Sequence, residues 1–273
     1  MIRKLRFSGL WYPSDKDELL KLVKTTPQND NNSILGVVPH AGLHYSASLI
    51  KLFFTTLSSN INKILLLTPS HYYRLEENTI GSGKFEKFET PFNDIEGFNL
   101  SIFEKGYEKA TEREHAVEMI LPFIAQLNNI KLCCAHVNEF NDLSIIKTYA
   151  KNILSQVDDK TAIIASSDFT HYGSNFSYTP FGSKITKEVI SKVSKYDKEI
   201  AEHLIKGDIN SATRIAYKDK ATICGLAPML ILSEIAKLKN LNGEILGQSN
   251  SIEKPIYDNN FVSYLTLAWR EKN

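Results

Sequence analysis

Short, wholly apolar segments alternate with amphipathic ones along most of the chain. An apolar run without polar residues at every second position is typical of a strand buried on both faces. Such runs predict strands at 34–38, 60–68, 130–137 and 161–166. Amphipathic spacing predicts helices at 18–23, 45–57, 117–127 and 143–156, with two or three more over 184–240. Alternation of this kind predicts one α/β domain over residues 1–273, in which helices flank a mostly parallel central sheet.

Two regions depart from this alternation. Segment 72–94 contains Gly81, Gly83 and three phenylalanines, which favours short strands or a long loop that overhangs one edge of the sheet. The last two apolar runs, 244–248 and 261–269, follow one another without a helix between them. We expect them to add antiparallel strands to the sheet.

Composition narrows the class of protein. The chain has 273 residues with 32 basic and 31 acidic side chains, a formal charge of +1, so it offers no basic surface for nucleic acid or an anionic membrane. No apolar run approaches the roughly 18 residues that span a bilayer. Two of the three cysteines are the adjacent Cys133 and Cys134, which favours reduced thiols and a cytoplasmic location. The phosphate-binding, dinucleotide-binding and nucleophile-elbow motifs are absent from the sequence.

Three of the predicted strands lead directly into a histidine. His40, His71 and His171 follow the runs that start near residues 34, 60 and 161. Because the carboxyl ends of parallel strands meet at one edge of a sheet, these imidazoles are expected to share a pocket. Cys224 precedes a predicted helix start, where a thiol gains thiolate character, and would add a sulfur ligand. Taken singly, each histidine could also belong to an ordinary capped turn.

Further side chains are candidates for the same pocket. Asp168 precedes His171 by three residues and could fix its tautomer, which would leave His171 as a general acid or base. Thr111 and Glu114 have the spacing of a helix capping box. His115 and Glu118 are candidate pocket walls or indirect metal partners. Candidates for an aromatic wall of the pocket are Trp11, Tyr12 and Tyr45.

Seven ordered motifs resemble those of the Memo-like family, which includes the mediator of cell motility protein and protein B of the AmmeMemoRadiSam system. They are Phe7-Ser-Gly-Leu-Trp-Tyr-Pro13, Pro39-His-Ala-Gly-Leu-His-Tyr-Ser46, Pro69-Ser-His71, Thr90-Pro91, Glu114-His-Ala-Val-Glu-Met-Ile-Leu-Pro-Phe123, Ser166-Ser-Asp-Phe-Thr-His171 and Thr222-Ile-Cys-Gly225. The resemblance implies the α/β fold of class III extradiol dioxygenases, which hold a non-haem iron. By motif, His40 and His71 match the two histidine ligands, Cys224 replaces the glutamate ligand, and His171 with Asp168 matches the acid/base position.

The resemblance leads to two functional hypotheses. Thiolate is a softer ligand than carboxylate, so we expect iron or copper, with zinc also compatible. The first hypothesis is a non-haem metal-dependent redox or oxygenase-like enzyme of unknown substrate. The alternative is a non-catalytic binding or scaffold protein with a vestigial dioxygenase-like pocket. Expected partners are a small molecule or peptide and, functionally, a radical S-adenosylmethionine protein, but neither nucleic acid nor a membrane.

Overall fold

The computed structural model describes residues 1–26, 32–252 and 259–271. Helices within these ranges are α1 (Lys16–Val23), α2 (Leu43–Thr56), α3 (Glu108–Arg113), α4 (His115–Glu118), α5 (Leu121–Ile124), α6 (Leu143–Leu154), α7 (Lys187–Ile205), α8 (Ile209–Lys218) and α9 (Leu226–Leu238). The strands are β1 (Ile2–Arg3), β2 (Ser33–Val38), β3 (Lys63–Thr68), β4 (Ile80–Ser82), β5 (Lys87–Phe88), β6 (Ile95–Gly97), β7 (Glu104–Lys105), β8 (Lys131–Val137), β9 (Thr161–Ser166), β10 (His171–Gly173), β11 (Asn242–Asn250) and β12 (Asn260–Arg270).

The strands form one open sheet, and its centre is parallel. Spatial order along the main path is β1-β5-β6-β8-β3-β9-β2-β12-β10. The neighbours β8, β3, β9 and β2 pair in parallel, whereas β12 runs antiparallel to β2, β10 and β11. The predicted α/β class and the antiparallel pair at the end of the chain are therefore confirmed. Because β9 lies between β3 and β2, the carboxyl ends of these three strands are side by side.

Apolar layers cover both faces of the central strands, which explains why their sequences lack alternation. In β9, Ile163 packs into the layer that contains residues of α6, α7 and α9. The next residue, Ile164, packs into the opposite layer with residues of α1, α2 and α5. Successive strand side chains point to opposite faces, so each central strand contributes to both layers.

The predicted helix over 117–127 is wrong in its bounds. In its place the chain forms the three short helices α3, α4 and α5 over residues 108–124. Glu114 has extended backbone dihedrals, which separate α3 from α4, and Pro122 lies in the first turn of α5. The capping box is also wrong: Thr111 lies inside α3, and Glu114 caps α4 through the backbone N–H of Ala116.

Segment 72–94 forms short strands, as predicted, in β4 and β5. The two-residue strands β1 and β7 and the strand β10 that begins at His171 have no clear sequence signal, because pairs this short depend on their neighbours rather than on their own pattern. In the described ranges, every helix is too short or too polar to cross a bilayer.

Candidate metal centre

Three histidines meet at the carboxyl edge of the central strands. His40 follows β2, His71 follows β3, and His115 is the first residue of α4. One ring nitrogen from each lies within 4.8 Å of those of the other two, and we call this group the histidine cluster. Cys224 Sγ lies 3.1 Å from His40 Nε2. The fold thus brings His40 and His71 together and adds His115, which the sequence indicated only as a pocket wall or indirect partner. Cys224 contacts His40 but lies outside this group of three.

Hydrogen bonds around His40 fix which ring nitrogen faces the cluster. Ser166 Oγ donates to the carbonyl of Ala116 at 3.0 Å. Its single proton is therefore used, and Ser166 accepts from Nδ1 of His40 at 2.9 Å. This tautomer makes Nε2 of His40 an acceptor, and it faces Cys224 Sγ at 3.1 Å.

His71 is held by Glu114, a role that the sequence did not indicate. Glu114 accepts the backbone N–H of His71 at 2.7 Å through Oε2 and contacts its Nδ1 at 2.8 Å through Oε1. Burial alone would raise the pKa of Glu114, but the hydrogen bond and charge of His71 hold it below its ordinary value. A carboxylate that accepts Nδ1–H leaves Nε2 of His71 as the available ligand atom, which is the usual arrangement behind metal-binding histidines.

His115 closes the cluster from the side of the N-terminal segment. It is 6% exposed, and the Trp11 ring lies 4.4 Å from its own between centroids. Its Nδ1 is 3.2 Å from Glu114 Oε1, yet within the described ranges this buried nitrogen makes no hydrogen bond. Burial lowers the pKa of His115 to about 4, and burial together with the other histidines lowers that of His40 well below its ordinary value. Both imidazoles are therefore neutral near pH 7, as metal binding requires.

Cys224 reaches the cluster because a glycine follows it. A Cβ on Gly225 would lie 2.5 Å from that of Ser167, so only glycine lets this segment approach the end of β9 so closely. The backbone N–H of Asp168 donates to Cys224 Sγ at 3.2 Å. Burial, followed by the charge of Asp168, raises the pKa of the thiol. Burial and the nearby carboxylate thus oppose the thiolate character that the helix start predicts.

The hydrogen bonds of Asp168 and His171 differ from the expected pair. Asp168 Oδ1 accepts the backbone N–H groups of His40 at 2.8 Å and Ala41 at 3.3 Å. Nδ1 of His171 lies 2.9 Å from the carbonyl oxygen of Thr222 instead, so a carbonyl fixes its tautomer. The carboxylate positions the turn that carries His40, and within the described ranges Nε2 of His171 makes no hydrogen bond.

The other candidates serve different purposes. Glu118 is fully buried and pairs with Arg3 Nη1 at 2.7 Å, and it accepts the hydroxyl of Tyr12 at 2.9 Å. The candidates Glu118 and Tyr12 therefore anchor the N-terminal segment and do not line the pocket. Tyr45 is 47% exposed on α2. Of the three aromatic candidates, only Trp11 has a ring in contact with the histidine cluster, tilted by 41° against that of His115.

An α/β protein with three histidines grouped at the carboxyl edge of parallel strands belongs to a class suited to holding a metal ion. The sequence pattern of the Memo-like protein family matches residues 3–268, and the chain belongs to this family, as its motifs predicted. It is 26% identical to a MEMO1 family protein of Thermoplasma volcanium over 92% of each chain. It is 24% identical to protein MEMO1 of Rattus norvegicus, covering 97% of this chain and 96% of that one.

A solved structure shares the fold. The crystal structure of an uncharacterized protein from Escherichia coli K12 aligns with a TM-score of 0.50 and 11% identity, covering 87% of this chain and 99% of that one. At this identity the likeness supports the architecture alone.

Proposed function

We propose that the protein is a metal-dependent redox or oxygenase-like enzyme, with His40, His71 and Cys224 as ligands of iron or copper. Zinc would fit the same donors. The observation that carries the proposal is the histidine cluster, in which His40 and His71 each have Nδ1 held by a neighbouring side chain, so that Nε2 is the nitrogen with a lone pair for a metal. Imidazole nitrogen and thiolate sulfur suit these metals.

His115 is a fourth candidate ligand. Its buried Nδ1 lacks a hydrogen-bond partner in the described part of the chain, which is costly unless another group satisfies it. A metal ion shared with His40 and His71 would compensate for that cost. Whether sulfur or this third imidazole completes the ligand set is decided by comparing Cys224→Ser with His115→Ala.

A bound iron or copper would supply Lewis-acid and one-electron chemistry that no side chain in the pocket offers. The protein's own groups have separate tasks. His171 would accept a proton at Nε2, because Nδ1 is already held by Thr222. Trp11 and Tyr72 cover His115 with ring centroids 4.4 and 5.5 Å away, which would exclude water from that side.

Metal content after anaerobic purification tests this proposal. Mass spectrometry should find nearly one equivalent of iron or copper in the wild type and almost none in His40→Ala. His203→Ala is the matched control, because His203 lies on α7, pairs with Asp208 at the start of α8 and is outside the cluster. Equal metal content in the wild type and His40→Ala would refute the ligand assignment.

The competing function is a binding protein without turnover. The two are separated by oxygen consumption in the presence of candidate substrates, compared between the wild type and His171→Ala. Turnover that this variant loses supports an enzyme. Stoichiometric metal without turnover of any substrate would favour the binding protein.

A further inference from the structure

Two adjoining cavities lie next to the histidine cluster. The larger, of about 1220 Å³, lies between the loop that follows β3 and the loop that follows β8. The smaller, of about 260 Å³, extends to Cys224. We call the two cavities together the entrance groove. The residues that line both of them are Ser70, His71, Asn138, Glu139 and Tyr217.

The groove is the open side of the cluster. His40 and His115 are 1% and 6% exposed, whereas the side chain of His71 is 28% exposed and lines both cavities. Cys224 lines the smaller one. A molecule that approaches the cluster through this groove would meet His71 and Cys224 first.

The walls of the groove are tied to one another. Asn138 Nδ2 donates to the carbonyl oxygens of Leu75 at 3.1 Å and Glu76 at 2.8 Å. Asn78 Oδ1 accepts the backbone N–H of Asn141 at 3.1 Å. These bonds join the two loops, so the groove exists before a ligand arrives. Less conformational entropy is therefore lost when a ligand binds.

The lining carries an excess of negative charge. Its formally charged groups, apart from the titratable His71, are Glu76, Glu77 and Glu139 against Arg74 alone. In the described ranges these four make no ion pair, since the salt bridges there involve other residues. Their charges are therefore available to a ligand.

Exposed aromatic rings share the lining with these carboxylates. Tyr73 and Tyr217 are 36% and 52% exposed, and Phe140 contributes a buried ring. A tyrosine face attracts an ammonium group by about 0.5–1 kcal/mol at exposed sites. Carboxylates and tyrosine rings thus favour the same kind of ligand, a cation with an apolar body.

We propose that the entrance groove binds the substrate of the metal centre, and that this substrate is a small organic amine, positively charged at neutral pH. The assignment of the bound molecule as substrate rests on the proposed function; the binding of an amine in the groove does not. The amine would lie among Glu76, Glu77 and Glu139, and the remainder of the molecule would extend towards His71 and Cys224. Anionic molecules of similar shape would be rejected.

Paired probes test the charge preference. 2-Phenylethylamine and phenylacetate share a benzyl group and carry opposite charges, so calorimetric titration at low salt compares charge at nearly constant shape. The amine should bind at least about tenfold more tightly than the acid. Its affinity should fall as salt is raised, because exposed charges are screened beyond about 10 Å at 0.1 M.

Substitutions in the groove test which residues cause the preference for the amine. Replacing Glu76, Glu77 and Glu139 together with glutamine should weaken amine binding by tenfold or more, because each carboxylate at about 4 Å contributes about 1 kcal/mol even in water. Tyr217→Ala should weaken it about threefold. Glu202→Gln removes an exposed charge on α7, outside the groove, and should leave the affinity unchanged.

Several outcomes would overturn the proposal: no amine binding at millimolar concentration, equal or tighter binding of phenylacetate, or full affinity in the triple glutamine variant. Titrations with protein as purified and after metal loading separate this result from the proposed function. Charge-selective amine binding by a protein that never takes up metal would uphold the groove and refute the metalloenzyme.

Discussion

Replacing Glu118 with glutamine tests whether one buried carboxylate holds the N-terminal segment against the rest of the domain. Glu118 and Arg3 are both 0% exposed at the side chain and lie 2.7 Å apart. The same carboxylate accepts the backbone N–H of Phe7 at 2.8 Å and the hydroxyl of Tyr12 at 2.9 Å. Glutamine has nearly the same shape but no charge, and its NH2 group takes the place of one accepting oxygen, so the substitution removes the charge together with some of these hydrogen bonds.

The expected loss in the free energy of unfolding can be derived from the burial of the pair. Removing one charge of a buried pair typically costs about 3–5 kcal/mol, because the remaining charge is left without compensation. The amide oxygen of glutamine still accepts one or two of the hydrogen bonds. We therefore expect a destabilisation at the lower end of this range, about 3 kcal/mol. Glu188→Gln is the control: its pair with Lys192 is 2.7 Å long, but the side chains are 75% and 50% exposed. Exposed pairs on one helix contribute little to stability, because solvent screens both charges.

Urea unfolding followed by circular dichroism measures both variants. With a slope near 3 kcal/mol per molar urea, a loss of about 3 kcal/mol lowers the midpoint by about 1 M. The control should move it by less than about 0.2 M. A Glu118→Gln midpoint within 0.3 M of the wild type, with an unchanged slope, would refute the view that this buried pair stabilises the fold.

Two further substitutions address single groups. Burial raises the pKa of Asp197 from 3.8 to about 7, so the folded protein binds an extra proton between these values, and wild-type stability should fall as the pH rises through that window. In Asp197→Asn, urea titrations at pH 5 and pH 8 should no longer show this difference in the free energy of unfolding. The same difference in the variant as in the wild type would contradict the assignment to Asp197. Glu114→Gln removes the charge that holds Nδ1 of His71, so metal affinity should fall about 10–100-fold in chelator competition. Unchanged affinity would show that Glu114 does not position His71.

The central sheet and the edge that carries the histidines could be predicted from the sequence because their signals are local. Strand β3 is apolar from Ile64 to Leu67 since both of its faces are covered, and His71 lies three residues beyond its last residue. Given parallel strands, the meeting of His40 and His71 follows from topology, even without knowledge of which strands are neighbours.

The contacts that complete the site could not be predicted in this way because they join distant parts of the chain. Glu114 is 43 residues from His71 in sequence, and its proximity to Thr111 suggested a helix cap instead. The bend that separates α3 from α4 turns Glu114 towards His71 and His115 towards the cluster. An amphipathic pattern does not reveal such a bend, because the short helices on either side preserve much of the apolar spacing.

The N-terminal segment shows how a buried network can shape a site without entering it. Trp11 covers His115, but the sequence between Arg3 and Tyr12 contains no helix or long strand that would hold it there. What fixes this segment is Glu118, through Arg3, two backbone N–H groups and Tyr12. Since Glu118 lies one turn beyond His115, at the end of α4, the same helix supplies a candidate ligand and the anchor for the ring that shields it.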